Sequence, residues 1–357
     1  MKIVTVVGAR PQFIKAAPVS SAFQSHGIEE CLIHTGQHYD EDMSSVFFDE
    51  MGIPSPAYDL KVGSGTHGRQ TGKMMALLDE VMEKEQPDGM LIYGDTNSTL
   101  AGALVAAKMH VPIAHVEAGL RSFNRKMPEE VNRVAADHLS SLLFCPTFIA
   151  VENLKREGIE SGVSHVGDVM YDAALLAKEK ASGRAGGPLM ETHGLESGSY
   201  VLVTIHRAEN TDDSERLLGI FNSLSELAES KNVLLPLHPR TKANLERVGF
   251  STEDSPIQFV TPLGFLDMVE AEANAAVIVT DSGGVQKEAY FHRVPCVTLR
   301  PETEWVETVD AGWNTLLDPM ERSLVDAVSV VKQGTEIEEY GEGDASEKIV
   351  SEISKAL

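Results

Sequence analysis

The chain has 357 residues, more than one ordinary hydrophobic core can serve, so two domains are expected. Its formal net charge of −24 argues against nucleic acid or an anionic membrane surface as a partner. No apolar run approaches the ~20 residues that span a bilayer, and the isolated Cys31, Cys145 and Cys296 have no metal-ligand spacing and suggest a reducing compartment. The opening MKIVTVVGARP reads as a strand rather than a leader, so a cytoplasmic protein is expected.

Residues 2–7 form an apolar run with little alternation, as in parallel strands buried on both faces. Gly8, Ala9 and Arg10 follow, and Pro11 opens a helical stretch to about residue 24. Arg10 and Lys15 therefore sit in and just after a strand-to-helix turn. A cation is unfavourable there without an anion, so the pair points to phosphate contact. Gly8 is not part of a G-x-G-x-x-G run, which argues against a nicotinamide enzyme.

Strands are predicted at 30–34, 90–93, 112–116 and 142–145, and helices at 68–84, 98–110 and 128–142. The alternation predicts a parallel sheet with right-handed crossovers. Asp95 and Glu117 each stand just past the carboxyl end of a strand, the edge where open α/β sheets bind ligands. A helix N-cap is the competing role for Asp95; Glu117 precedes Ala-Gly and has no such role. Glu129 follows Pro128 and suits a helix start.

The Gly-rich, polar stretch 182–199 reads as the connection between halves. Alternation then restarts with strands at 200–205, 233–237, 257–260, 276–279 and 295–299, an irregular run over 300–312, and an amphipathic helix over 346–357. Two strand ends deliver His206-Arg207 and His238-Pro239-Arg240. The third, VIVTDSGGVQKE at 277–288, joins a strand to a helix through Ser282-Gly283-Gly284. Unpaired amides and the dipole at a helix start favour an anion, and glycines let a diphosphate approach closely. Glu288, one turn on, is in reach of sugar hydroxyls.

These segments together resemble the non-hydrolysing UDP-N-acetylglucosamine 2-epimerases. The matching motifs are Gly8-Ala-Arg-Pro-Gln with Lys15, His34-Thr-Gly-Gln37-His38, Gly94-Asp-Thr, His115-Val-Glu-Ala-Gly-Leu-Arg121, Pro128-Glu-Glu with Asn132-Arg133, His206-Arg207, and Thr280-Asp-Ser-Gly-Gly with Glu288. They keep their order over nearly the whole chain. The resemblance implies an α/β fold of two Rossmann-like domains with parallel sheets facing across a cleft, as in GT-B glycosyltransferases. The expected domains are 1–167 and 168–343, with the helix at about 344–357 packing back on the first. It also implies a homodimer, no cofactor or metal, and interconversion of UDP-GlcNAc and UDP-ManNAc.

Residue by residue, the resemblance makes Asp95, Glu117 and Glu129 acid/base groups. It sets His206 at the diphosphate with a catalytic part, Arg10 and Lys15 on the nucleotide-sugar, Ser282, Gly283 and Gly284 on phosphates, and Glu288 on the ribose. Gln37, His38, Arg133, Arg207 and His238 complete the expected substrate contacts. Trp305 stands where many bacterial members carry arginine, and 262–268 departs from the uracil-contacting stretch. A modified substrate such as a UDP-diacetamido uronate is therefore an alternative, as is a GT-B glycosyltransferase.

Overall fold

A computed structural model describes residues 1–37, 51, 53–182, 189–303 and 305–357. The side chain of Arg10 and the whole of His38 lie outside the described residues. The chain divides into two compact units, residues 1–176 with 338–357, and residues 177–337.

Among the described residues, the first unit holds a parallel sheet of seven strands, β1 (Lys2–Val7), β2 (Glu29–His34), β3 (Tyr58–Asp59), β4 (Gly89–Tyr93), β5 (Ile113–Val116), β6 (Leu142–Cys145) and β7 (Val163–His165). Their order is β3-β2-β1-β4-β5-β6-β7. The second unit holds six parallel strands, β8 (Tyr200–Thr204), β9 (Asn232–Pro236), β10 (Gln258–Val260), β11 (Val277–Thr280), β12 (Cys296–Thr298) and β13 (Asn314–Leu316), ordered β10-β9-β8-β11-β12-β13. Both are doubly wound. The strand order reverses between β1 and β4 in one and between β8 and β11 in the other, the switch points where such sheets bind ligands.

The strands read as unbroken apolar runs because both faces are covered. In β8, Val201 and Val203 join one core while Tyr200 and Leu202 join the opposite one. In β11, Val277 and Val279 face the first core and Ile278 the second. Each such fully buried side chain contributes about 1.5–3 kcal/mol of transfer free energy. The three cysteines are free and buried, and burial pushes the thiols of Cys145 and Cys296 up to about 12.

Several elements differ from the sequence expectation. The borders lie at 176/177 and 337/338, not at 167/168 and 343/344. The start of the Val169–Ser182 helix belongs to the first unit because Asp168 N donates to Tyr340 O at 3.0 Å and Asp172 accepts from Ser346 N at 2.7 Å. The C-terminal Ala345–Ala356 helix packs on the Arg10–Ser25 helix. Within the expected connection, Leu189–His193 is a helix whose Leu189 is buried in the second unit's core. The run expected to be irregular contains the Val306–Asp310 helix. No helix among the described residues is long and apolar enough to cross a membrane.

Candidate active site

In the first unit the turn after β1 is organised by a residue that sequence reasoning passed over. Ala9 precedes the Arg10–Ser25 helix and has no side chain able to cap it. Buried Gln12 does so instead, its Oε1 accepting from Gly8 N at 2.8 Å and Ala9 N at 3.2 Å. Its amide donates to Tyr93 O at 2.7 Å, tying this turn to the end of β4. The two amides that lead into the helix are thus satisfied. Gly8 is required by packing, since a Cβ there would lie 2.0 Å from Ser98 Oγ.

Lys15, one turn into that helix, points at Glu117 and forms an ion pair with its Oε2; both side chains are largely buried. Burial opposes the Lys15 charge, but Glu117, with Asp168 and Asp95 behind it, outweighs this and raises the ammonium pKa. Glu117 has φ +66°, the left-handed region that non-glycine residues rarely enter. Such backbone costs about 1–2 kcal/mol and persists only where the surroundings enforce it. A Cβ on Gly94 would come 3.3 Å from Glu117 Oε2, so the turn carrying Asp95 lies directly beside the Glu117 carboxylate.

Asp95 does not cap the helix that follows it. Thr96 does, with its side chain accepting from Thr99 N. The Asp95 carboxylate is left to pair with Arg133 Nη2, while Arg133 Nη1 holds Glu130 Oε2 at 3.0 Å. Asp95, Glu129 and Gln37 line a cavity of about 380 Å³ together with His67, Asn97 and Asn132. That volume lies within the range of small-ligand sites. Gln37 Oε1 accepts from Ser98 N at 3.0 Å and Ser98 Oγ at 2.8 Å, which fixes it at the wall.

Beneath the two carboxylate turns lies a buried charged chain. His115 Nδ1 is 2.7 Å from Asp137 Oδ1, and its Nε2 is 2.8 Å from Gly94 O. Asp137 Oδ2 accepts from Gly119 N at 3.1 Å and Arg121 Nη1 at 2.6 Å. Arg121 grips Glu157 through two bonds of 2.7 and 2.8 Å. Burial works against the Asp137 charge, but His115 and Arg121 hold its carboxyl below the usual range. Burial likewise opposes protonation of His115, yet Asp137 raises its pKa. Glu130 plays a similar supporting part, accepting Ser122 N and Phe123 N at 2.9 Å each to hold the 121–127 loop.

In the second unit, fully buried Asp281 gathers the switch point. Its carboxylate accepts His206 N at 3.2 Å, Arg207 N at 3.0 Å and Asn210 Nδ2 at 3.1 Å. The turn after β8 is thereby fixed against the turn after β11, with the half-exposed His206 ring 3.6 Å from Asp281 at Nδ1. Ser282 is the N-cap of the Gly283–Phe291 helix, and its side chain makes no cap bond. A Cβ on Gly284 would meet only Ser282 Oγ at 3.9 Å and Glu288 Oε2 at 4.0 Å. Packing within the protein does not call for glycine there, which fits space kept for a ligand. His238 caps the Pro239–Arg247 helix, Nδ1 accepting from Arg240 N at 3.2 Å.

The residues expected from sequence thus fall at two sheet edges. Asp95, Glu117, Glu129, Lys15, Gln37 and Arg133 gather in the first unit; His206, Arg207, Ser282, Gly283, Gly284 and Glu288 gather in the second. Gln12, His115, Asp137 and Asp281 support them; the sequence motifs include Gln12, His115 and Asp281 without giving them a role. His115 and Asp281 carry only the local signal of a polar residue at a strand end, shared with many turns, and Gln12 and Asp137 lie inside helices with no local signal. Among the described residues no group of three or more His, Cys, Asp or Glu is arranged to hold a metal.

The family model for UDP-N-acetylglucosamine 2-epimerase matches residues 21–354. A UDP-N-acetylglucosamine 2-epimerase homolog of Methanococcus maripaludis is 51% identical over 355 residues, covering 98% of both chains. The UDP-2,3-diacetamido-2,3-dideoxy-D-glucuronate 2-epimerase of Pseudomonas aeruginosa is 47% identical, covering 99% of this chain and 100% of its own. The crystal structure of Methanocaldococcus jannaschii UDP-GlcNAc 2-epimerase in complex with UDP-GlcNAc and UDP superposes with a TM-score of 0.81 at 43% identity, covering 100% of each chain. The carboxylate edge, the Ser-Gly-Gly edge and these full-length likenesses converge: the chain belongs to the UDP-N-acetylglucosamine 2-epimerase family.

Proposed function

We propose that this enzyme interconverts UDP-N-acetylglucosamine and UDP-N-acetylmannosamine by elimination and re-addition of UDP. The observation that carries the reading is the pairing of two adjacent carboxylate turns, Asp95 and Glu117, with a separate Ser-Gly-Gly helix start. The C2–H bond is not acidified by a neighbouring carbonyl. In the elimination that bond breaks, its electron pair becomes the C1–C2 double bond, and the C1–O bond breaks with its pair leaving on UDP. The product is a 2-acetamidoglucal. Protonation of C2 from the opposite face, with return of UDP to C1, yields the epimer.

Two faces of one carbon require more than one proton carrier, which assigns Asp95, Glu117 and Glu129 to proton transfer. Lys15 and Arg133, already paired with Glu117 and Asp95, orient those carboxylates. The departing diphosphate needs preorganised donors, each contributing about 3 kcal/mol when well placed. The Ser282–Gly284 segment and His206, with Arg207 beside it, take that role, Arg10 adds charge, and Glu288 holds the ribose. The protein acts in the cytoplasm as a homodimer in this reading.

The test is incubation with UDP-GlcNAc in deuterated water, followed by NMR. Deuterium at C2 of a UDP-ManNAc product is expected, and return of undeuterated UDP-GlcNAc alone would refute the reading. A second substrate is favoured by the full-length likeness to the diacetamido-glucuronate enzyme and by Trp305. Under it, UDP-2,3-diacetamido-2,3-dideoxy-D-glucuronate turns over faster than UDP-GlcNAc in the same assay.

A further inference from the structure

We propose that His115 is a positioning residue: a buried imidazolium that sets the placement of Asp95 relative to Glu117. The proposal rests on the reading of those two carboxylates as the proton-transfer groups. Both ring nitrogens of His115 face atoms that only accept, Asp137 Oδ1 at 2.7 Å and Gly94 O at 2.8 Å. A neutral ring has one N–H and would turn a lone pair toward one of them. Both bonds form only with the ring doubly protonated. The ring is fully buried, so no water substitutes for either partner.

One bond ends at the backbone of the Asp95 turn, and the other at the Asp137 carboxylate, which in turn holds the Glu117 turn. Gly94 is the residue before Asp95, and it is held by Nε2. On the other side, His115 and Gly119 bracket Glu117, and the two oxygens of one carboxylate, Asp137, hold both of them. Sheet pairing alone fixes Gly94 only through its amide, which donates to Val116 O at 3.0 Å. Its carbonyl is held by the imidazole. The strained φ of +66° at Glu117 is the kind of backbone that needs such double restraint. Arg121, locked to Asp137 and Glu157, completes the support and balances the charge.

His115→Phe and His115→Gln in the full chain test this, with Glu117→Gln alongside. His115→Phe removes both donors; His115→Gln restores one. For folded His115→Phe, kcat should fall by about 100-fold, the cost of a misplacement near 1 Å. KM and the UDP dissociation constant should stay within about threefold, as expected when only transition-state interactions are lost. His115→Gln should recover part of the lost kcat. Folded His115→Phe with parental kcat overturns the proposal, as does loss of UDP affinity in step with kcat, which marks a general structural role. If His115→Phe does not fold, His115→Gln decides: parental kcat refutes, reduced kcat at constant UDP affinity supports. Retained C2 exchange in Glu117→Gln would instead show that the carboxylate reading had failed.

Discussion

Gly284→Ala should move stability and binding in opposite directions. Gly284 is the second residue of the Gly283–Phe291 helix, and its φ lies outside the left-handed region. The added Cβ would make ordinary contacts at 3.9 and 4.0 Å with Ser282 Oγ and Glu288 Oε2. With no clash and no strain, the substitution mainly restricts the unfolded chain and improves helix propensity. The unliganded protein should therefore gain about 0.5 kcal/mol, near the low end for such changes because the site lies in the first turn. The same methyl stands between the group proposed to meet phosphate and the group proposed to meet ribose. UDP affinity should drop at least tenfold, about 1.4 kcal/mol. Urea unfolding of the unliganded protein and calorimetric titration with UDP measure the two effects. Unchanged UDP affinity would refute the assignment of Gly284 to the diphosphate, and lower stability would refute the packing argument. Gly284→Val, with its larger side chain, should abolish UDP binding.

Glu117→Gln should slow C2 deuterium exchange by about 1,000-fold while UDP affinity stays within about threefold, as for loss of a general base; normal exchange would remove Glu117 from the chemistry. Gln12→Leu strands the buried Gly8 and Ala9 amides, while the Tyr93 carbonyl keeps Thr99 Oγ1, and should cost about 3 kcal/mol in urea unfolding. A loss under about 1 kcal/mol would mean that the turn finds other partners. Burial, with Lys178 adding to it, holds the His292 imidazole at about 4 against the ordinary 6.5, beside the buried Glu272 carboxyl. The unfolded chain therefore binds the proton first as pH falls. The contribution is fully present above pH 6.5 and is lost between 6.5 and about 4, amounting to about 3 kcal/mol. His292→Leu should flatten the wild-type fall in stability over that window, and an unchanged slope would contradict it.

The parallel strands were legible because burial on both faces leaves unbroken apolar runs such as VIVT and KIVTVV. The strands that escaped notice, Tyr58–Asp59, Val163–His165 and Asn314–Leu316, are two or three residues long and partly polar. At that length periodicity carries no signal. The helix Val306–Asp310 is too short to show a pattern for the same reason.

The amino-acid sequence by itself determined two α/β halves and which residues stand at strand ends, because strand length and the turn residues after it are local properties. It also placed Asp95, Glu117 and the Ser282–Gly284 turn at the edge where parallel sheets bind ligands. Only the tertiary structure decided what those residues touch. Lys15 and Glu117 are 102 positions apart in sequence and meet in one ion pair, and Asp95 loses the capping role to Thr96 and gains Arg133. His115, Asp137 and Asp281 look like ordinary polar residues until folding buries them. A buried charge must then find partners, and those partners turned out to include the backbone of the turns that carry the carboxylates and His206.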